Sequence, residues 1–227
     1  MRLFLFVLIS ASAWAQIERP SLGVMLDQHG FARPVIGALA AAALGDPVFG
    51  GAVISLACSQ TTCLAKTAKA LVSSTGESAD APPGAAIICF NGDVAYVYFV
   101  ENRQFAIWFA GQLYPFDFAA GGDVLSIRAE GFAYAIARDD GIWVGDQNLG
   151  VAAAVFLLDN GGALLAVDNQ VRLLRADGTE IDFAVPSAGG FLRMNDRYIE
   201  VISDSAMWAL DTQPGHEQVF VLPGESR

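Results

Sequence analysis

The chain has 227 residues, of which 54% are hydrophobic and 16% are charged, and its formal net charge is −11. This composition excludes an intrinsically disordered protein, because so many apolar residues can bury enough surface to fold. The acidic balance excludes a typical nucleic-acid partner, since phosphate binding depends on clustered Lys and Arg, and the sequence has only two lysines, Lys66 and Lys69.

Residues 1–15 have the pattern of a signal peptide. Arg2 precedes an apolar run at residues 3–9, and Ala13-Trp14-Ala15 resembles a cleavage site before Gln16. The apolar run is too short to span a bilayer. We therefore expect residues 1–15 to be removed, residues 16–227 to form a single domain, and the mature protein to be secreted or periplasmic, without a membrane span.

The first part of the mature chain predicts short strands. Residues 22–26 and 31–36 form a predicted pair joined by a turn, and Pro34 favours an edge position because it cannot donate a ladder hydrogen bond. The apolar run at 35–44 predicts a buried segment or a short helix. Residues 52–58 and 63–73 predict a hairpin with a weak third strand near Ser73, and residues 74–84 predict an exposed loop.

The three cysteines are Cys58, Cys63 and Cys89. A hairpin over 52–73 would place Cys58 opposite Cys63, and disulfides are permitted in an exported protein. We predict a Cys58–Cys63 disulfide. Cys89 lies in an apolar run, which predicts a buried free thiol.

Residues 86–118 contain four short apolar runs separated by turns at 91–93, 101–103 and 110–112. They predict a four-stranded antiparallel meander. In the run 94–100, alternate residues are apolar on both faces of the strand, so both faces of the sheet must be covered. No stretch after residue 84 has a helical pattern that could cover them. Small sheets packed face to face around an axis, a β-propeller, satisfy this requirement.

Similar apolar runs, separated by Gly, Asp and Asn, recur to the end of the chain. We count about eighteen strands after residue 52 and two before it. This count predicts an all-β propeller of five four-stranded antiparallel blades, with six blades as the alternative. The N-terminal strands would complete the blade that the final strands begin and so close the ring. A pair of β-sandwiches or an irregular β-solenoid is the structural alternative.

The Asp-Gly and Asn-Gly turns and the segments GVMLD (23–27), RPVIG (33–37) and LGDP (44–47) carry a family resemblance. The chain resembles exported bacterial β-propellers of the broad WD40-like or quinoprotein-like group. The resemblance implies a scaffold that serves in both binding proteins and enzymes. No Trp-Asp dipeptide ends a blade, and Trp108, Trp143 and Trp208 lack the tryptophan-docking pattern of quinoproteins. We therefore expect no cofactor.

Histidine and metal chemistry have little support in the sequence. The two histidines, His29 and His216, lie in Gly-containing turns, and no G-x-S-x-G motif is present, so we expect exposed turn residues and no catalytic triad. A closed ring would place both histidines in the same or adjacent blades. No ligand spacing predicts a metal site, although the turns at 138–141 and 159–162 could hold an ion weakly.

Carboxylates and aromatic residues are the remaining candidates. Aspartates at turns usually cap their own backbone, but a pair could serve a glycoside hydrolase. Aromatic residues of the meander could stack sugars, although blade packing is their expected role. The aspartates are Asp93, Asp123, Asp139, Asp140, Asp159, Asp168, Asp177, Asp196 and Asp204. The aromatic residues are Tyr96, Tyr98, Phe99, Phe105, Trp108, Phe109, Tyr114, Phe116 and Phe118.

The sequence favours an exported, monomeric, non-enzymatic propeller that binds a protein or carbohydrate partner through loops at one face of the ring. The alternative is a carbohydrate-active hydrolase or lyase that uses turn carboxylates. A third reading is a structural protein without a site. The sequence assigns no catalytic residue and does not decide whether the protein is an enzyme.

Overall fold

The structure is a computed structural model that describes residues 21–27, 29–38 and 41–222. The predicted signal peptide at 1–15 and its cleavage site lie outside the described residues. The described residues form 23 strands in six antiparallel sheets, and these sheets are the blades of a β-propeller. Among these residues we find no helix that could serve as a membrane span.

The strands of each sheet are paired in chain order. The first blade contains β1 (Ser21–Leu26), β2 (Ala32–Ile36) and β3 (Ala43–Leu44). The second contains β4 (Ser55–Cys58), β5 (Cys63–Lys66), β6 (Ala70–Ser73) and β7 (Ser78–Asp80). The third contains β8 (Ala86–Asn91), β9 (Val94–Phe99), β10 (Gln104–Phe109) and β11 (Gln112–Phe116).

The remaining three blades also have four strands each. The fourth contains β12 (Asp123–Arg128), β13 (Ala133–Arg138), β14 (Gly141–Val144) and β15 (Gln147–Gly150). The fifth contains β16 (Ala154–Leu157), β17 (Ala163–Val167), β18 (Gln170–Leu174) and β19 (Glu180–Ala184). The sixth contains β20 (Ala188–Arg193), β21 (Tyr198–Ser203), β22 (Trp208–Asp211) and β23 (Gln218–Val221).

The first strands of the blades surround a central channel. Contacts run from β4 to β8, β12, β16 and β20 in turn, and β20 also contacts β4. Strand β1 contacts β4 on one side and β21 on the other. The three-stranded first blade is therefore inserted between the sixth and second blades, where it closes the ring.

The prediction of five blades is wrong, because the N-terminal strands form a blade of their own. The sixth blade is complete without them, since β20 to β23 supply its four strands. The third strand of the first blade, β3, comes from the apolar run at 35–44 that we expected to be a buried segment or short helix; it pairs with Val35 and Ile36. Strand β7 likewise arises within the predicted loop at 74–84.

The meander at 86–118 forms the third blade, and both of its faces are buried as predicted. Ala95, Val97 and Phe99 pack against residues of the second blade, including Leu64. On the other face, Tyr98 packs against residues of the fourth blade. The alternating side chains of β9 therefore hold two interblade contacts, which explains why the strand has no polar face.

The predicted disulfide is present. Cys58 and Cys63 are opposite one another in the β4–β5 register and are joined by an S–S bond of 2.01 Å. Cys89 is a free cysteine and is buried. The edge position expected for Pro34 is wrong, because β2 lies between β1 and β3. Strand β3 pairs only with the two residues after Pro34, so the missing N–H interrupts no ladder.

Candidate binding site

The turns of the propeller divide between two faces. We define the front face by the turns that join the first and second strands of each blade and those that join the third and fourth. The back face carries the turns between the second and third strands and the connections between blades. Because neighbouring strands are antiparallel, these two sets of turns lie at opposite ends of the sheets.

An axial pocket of about 400 Å³ lies where the first turns of five blades converge on the front face. Asp93, Glu130, Asp159 and Asp196 reach it from the third, fourth, fifth and sixth blades respectively. Its full lining is Ser59, Gln60, Thr61, Phe90, Asn91, Gly92, Asp93, Glu130, Asp159 and Asp196. The ring thus brings together carboxylates that are distant in the sequence.

Asp93 and Glu130 are exposed. Neither has an ion pair with any residue that the structure describes. Uncompensated carboxylates around a concave opening produce a negative local potential. This side of the axial pocket therefore presents negative charge to solvent.

An interblade pocket of about 450 Å³ lies between the fifth and sixth blades. Its lining is Leu158, Asp159, Asn160, Arg193, Asp196, Arg197, Ile199, Thr212, Gln213 and Pro214. Asp159 and Asp196 line both this pocket and the axial pocket. The two pockets therefore form one continuous surface on the front face.

Arg193, the last residue of β20, lies at the base of this surface. Its side chain is only 4% exposed, and its Nη1 donates a hydrogen bond to Asp159 Oδ2 at 2.5 Å. The same Nη1 is 3.9 Å from Asp196 Oδ1. Burial is the largest single influence on the pKa of Arg193 and lowers it, but the hydrogen bond to Asp159 and the nearby negative charges together outweigh burial and raise the pKa of the guanidinium.

Two buried atoms of this ion pair have no hydrogen-bond partner among the described residues. They are Arg193 Nε, a donor, and Asp159 Oδ1, an acceptor. Buried polar atoms are nearly always bonded in native proteins, so each exception needs an explanation. Both residues line the interblade pocket.

The opposite wall of the pocket is held by a second ion pair. Arg197 Nε donates to both carboxylate oxygens of Asp211, at 2.9 and 3.0 Å, and the Asp211 side chain is only 3% exposed. Thr212 Oγ1 donates to the Arg197 carbonyl at 2.8 Å. These bonds link the turn after β22 to the turn after β20 along this wall of the pocket.

Most of the side chains that line the central channel are apolar. A cavity of about 220 Å³ within it is lined mainly by the first strands of the five four-stranded blades, with Leu26 of β1 and Ile202 of β21, and Arg193 is the one charged residue among its described lining residues. That lining is Leu26, Ile54, Ser55, Leu56, Ala57, Ala86, Ile87, Ile88, Leu125, Ser126, Ile127, Val155, Phe156, Phe191, Leu192, Arg193 and Ile202. The described channel therefore offers no carboxylate pair to a substrate.

The structure separates the aspartates that the sequence singled out. Asp93, Asp159 and Asp196 meet at the axial pocket. Asp177 also lies in a front-face turn, where it caps its own backbone by accepting the Thr179 N–H at 2.9 Å, as expected for a turn aspartate. The back face carries Asp139, Asp140, Asp168 and Asp204, and Asp123 begins β12.

The two histidines lie in front-face turns of adjacent blades, the first and the sixth. Both are exposed. Neither is among the residues that line the axial or the interblade pocket of the described chain. Within the described ranges, no group of three or more His, Cys, Asp or Glu side chains is arranged to hold a metal ion.

Most of the aromatic residues predicted to pack between blades do so. Phe105 lies 4.7 Å from Tyr98 and 5.5 Å from Phe118, measured between ring centroids, and 5.9 Å from Phe132 of the fourth-blade region. Trp108 is buried against the second blade. Phe109 and Tyr114 are about half exposed, at 49% and 48%. The aromatic cluster therefore stabilises the ring and does not line the front-face pockets.

Sequence reasoning missed Arg193, Thr212 and Gln213, and it considered the turn at 159–162, which contains Asn160, only as a weak ion site. The one available signal was a charged residue within the apolar strand FLRMN. A charge at such a position has to be paired or hydrogen-bonded. Its partner, Asp159, is 34 residues away and is brought to it only by blade packing.

The fold and these pockets define the chain as a six-bladed β-propeller with a concave front face. No protein-family model matches it, and no curated protein matches it. Its fold is similar to that of PorZ, a bacterial surface component of the type IX secretion system of Porphyromonas gingivalis. The TM-score is 0.55 at 11% identity, over 90% of this chain and 38% of the PorZ chain.

Two further solved structures share the fold. A chain of the nidogen/laminin complex has a TM-score of 0.59 at 11% identity, over 88% of this chain and 93% of that chain. A functionally unknown protein from Desulfotomaculum acetoxidans DSM 771 has a TM-score of 0.50 at 9% identity, over 92% and 88% of the two chains. At these identities the similarity shows the propeller fold alone, and it gives no support to the WD40-like or quinoprotein-like subgroup.

Proposed function

We propose that this chain is an exported, non-enzymatic binding protein whose front face holds a protein or carbohydrate partner. The observation that supports this most is that the first turns of five blades converge on the axial pocket, which shares Asp159 and Asp196 with the interblade pocket. Loops held by a rigid scaffold are the usual place for binding residues.

Export is supported by the disulfide between Cys58 and Cys63, because such bonds persist in oxidising compartments. The signal-peptide pattern at 1–15 is consistent with export. PorZ, which shares the fold, is a bacterial surface component. These three observations agree on a secreted or periplasmic location.

Two features argue against a hydrolase that uses the channel or the Asp159–Asp196 pair. The described lining of the channel contains no carboxylate. On the front face, Asp159 and Asp196 approach the same nitrogen of Arg193, at 2.5 and 3.9 Å. A glycoside hydrolase needs its two carboxyl groups on either side of the scissile bond, and here the guanidinium lies against both of them.

A binding screen with face-specific variants tests this proposal. The chain is screened against a glycan array and against secreted proteins. The front-face variant is Thr61→Arg/Glu130→Arg, which adds bulk and reverses charge in the axial pocket. Its matched control is Asn102→Arg/Asp139→Arg in back-face turns; all four residues are exposed. We expect a partner that the front-face variant loses and the control retains.

Two outcomes would overturn the proposal. The first is a partner whose binding depends only on the back-face residues. The second is turnover of any glycan by the chain, which would make the protein an enzyme. Thermal unfolding of both variants, measured beside the wild type, shows whether a variant that no longer binds the partner is still folded.

A further inference from the structure

We propose that the central channel binds the linear alkyl chain of a small single-chain amphiphile, whose polar head stays at the back-face opening of the channel. Among the described lining residues, only Arg193 is shared with the front-face pockets. The inference therefore goes beyond the proposed function and does not depend on it. It adds a second site and the chemical class of its ligand.

The channel wall carries apolar side chains that the ring does not bury completely. Ile54 and Leu125 line the cavity and are 45% and 38% exposed. Ile87, Phe156 and Phe191 also line it and are partly exposed. Single exposed apolar residues are ordinary on a protein surface, but here one from each of five blades faces the same concave space, if Ile54 is counted with β4, which follows it. Accessible apolar surface that is concentrated in a cavity favours a binding site.

Leu125 lies at an irregularity in β12. The pairing with β13 shifts register between Val124 and Ser126, so Leu125 has no partner in the ladder. A bulge of this kind changes the direction of a side chain. Val124 and Ser126 are buried, whereas Leu125 is exposed and lines the cavity. Within the described chain, neither Leu125 nor Ile54 is part of a hydrophobic core cluster, so packing of the ring does not account for them.

The polar groups of the lining are already bonded, so the channel favours an apolar ligand. Ser55 Oγ accepts the N–H of Ala86 at 3.0 Å, and Ser126 Oγ accepts that of Leu157 at 2.9 Å. Arg193 forms the ion pair described above. No carboxylate is among the described lining residues. A charged group that entered the channel would therefore lose its hydration without a replacement.

The size of the cavity fits a short chain. It is lined by three or four consecutive residues of four blades, at 54–57, 86–88, 125–127 and 191–193. At about 3.3 Å per residue these segments extend over about 7 to 10 Å, the length of an alkyl chain of roughly six to eight carbons. The volume of about 220 Å³ is below the range of about 300–1,000 Å³ that holds drug-sized ligands. Apolar cavities of about 150 Å³ stay dry and bind small apolar molecules.

The positions of the lining residues give the orientation of the chain. Arg193 is the last residue of β20, beside the front-face turn at 194–197, and it is buried. Ile54 lies directly before β4, in the connection between blades, and Leu125 lies near the start of β12; both are exposed. The open end of the cavity is therefore on the back face. The alkyl chain enters there, and its polar head remains in solvent beside Ile54 and Leu125.

The experiment measures binding of the 1-alkanols from butanol to decanol and of the corresponding alkanoates, by calorimetry and NMR, below the concentrations at which they aggregate. Cyclohexanol is the compact apolar probe. The channel variant is Ile54→Asn/Leu125→Asn, which replaces two exposed apolar side chains by polar ones of similar size. Its matched control is Val151→Asn/Val221→Asn, which makes the same kind of change at exposed residues outside the cavity lining.

We expect both series to bind, because the alkyl chain is common to them. Each added methylene should tighten binding by about threefold to fourfold until the channel is filled, as expected for burial of a CH₂ group. The channel variant should weaken binding of 1-octanol by about tenfold or more, and the control should leave it unchanged. Intermolecular NOEs should connect the chain to the methyl groups of Ile54 and Leu125. Melting temperatures show whether the variants are folded; if the double variant is not, Leu125→Asn alone decides the result.

The inference is overturned if affinity does not rise with chain length, which would indicate a channel that holds water alone. It is also overturned if cyclohexanol binds as tightly as 1-hexanol, if the control weakens binding as much as the channel variant, or if the folded channel variant binds as well as the wild type. The proposed function is tested with glycans and secreted proteins and with other variants, so either proposal can fail while the other stands.

Discussion

Arg193 in the sixth blade donates a hydrogen bond to Asp159 in the fifth blade, with 2.5 Å between Nη1 and Oδ2. The arginine side chain is 4% exposed, whereas that of Asp159 is 34% exposed. The bond therefore links two blades at the base of the front-face pockets. Because the arginine is the more buried of the two, its charge depends more on this bond for compensation.

This asymmetry predicts unequal costs for removing either partner. Asp159→Ala should lower the free energy of unfolding by about 3 kcal/mol, because it leaves a buried guanidinium that cannot lose its proton. Arg193→Met should cost about 2 kcal/mol or less, since Asp159 can be rehydrated. Urea denaturation of the two variants measures both values. A larger cost for Arg193→Met would contradict this account of the pair.

We predict that the close contact between Gly23 in β1 and the sixth blade holds the first blade in the ring. Its φ is +116°, and an added Cβ would collide with the carbonyl of Met194 in the sixth blade. Gly23→Ala should therefore destabilise the chain by about 2 kcal/mol or more and reduce amide protection in β1 and β2. Hydrogen exchange measures this loss.

Gly189→Ala is the matched control for Gly23→Ala. Gly189 does not have a positive φ, and an added Cβ there meets no atom within 4 Å. The control should keep wild-type protection in the first blade. Equal exchange in β1 for both variants would show that the contact with Met194 does not hold the blade.

The Cys58–Cys63 disulfide leads to one prediction on stability and one on the number of cysteines that react as thiols. Removing the Cys58–Cys63 bond with the double variant Cys58→Ser/Cys63→Ser should lower the free energy of unfolding by about 2 kcal/mol, as expected for a short closed loop.

Thiol titration should find no reactive cysteine in the folded, oxidised chain, because Cys89 is 2% exposed. One thiol should appear on unfolding and three after reduction. A reactive thiol in the folded chain would contradict the burial of Cys89.

Lys66 in β5 predicts a pH dependence of stability. Its side chain is fully buried, and its Nζ donates to the Thr67 carbonyl at 2.5 Å. Burial lowers the pKa of Lys66, and the charge of Glu101 only partly opposes this shift. Between the lowered pKa and the ordinary value of about 10.4, the unfolded chain binds a proton that the folded lysine does not. The free energy of unfolding should therefore rise with pH across this window.

Lys66→Met isolates this effect. At about pH 7 the variant should be as stable as the wild type or about 1 kcal/mol more stable, because no cation has to be buried. That advantage should shrink towards about pH 10 as the wild-type lysine is neutralised in both states. Cys89 and Tyr98 titrate in both proteins, so their effects cancel in the comparison. A difference that stays constant from neutral to alkaline pH would show that Lys66 is not the cause.

The local architecture could be predicted from the sequence because apolar alternation determines strands and faces. The meander became the third blade, and Cys58 met Cys63 across a hairpin. The predicted number of blades was wrong because the sequence pattern of several strands is weak. Strand β3 has two residues in an alanine-rich run, β7 is formed from Ser78–Asp80 within a polar segment, and β15 begins in a stretch that reads as a turn.

The candidate site was predictable only in part. Asp93, Asp159 and Asp196 were recognisable as turn carboxylates, and their convergence follows from the ring. The pairing of Arg193 with Asp159 was not predictable, since it joins two blades at a separation of 34 residues. No periodicity or spacing encodes a contact of that kind; it depends on how the blades pack.

The most direct test of the front face as the binding face is a hydrogen-exchange footprint of the chain with a partner found in the screen. We predict slower exchange in the front-face turns at 59–62, 91–93, 158–162 and 194–197. The back-face turns at 67–69, 101–103 and 139–140 should be unchanged. Protection confined to those back-face turns would contradict the account.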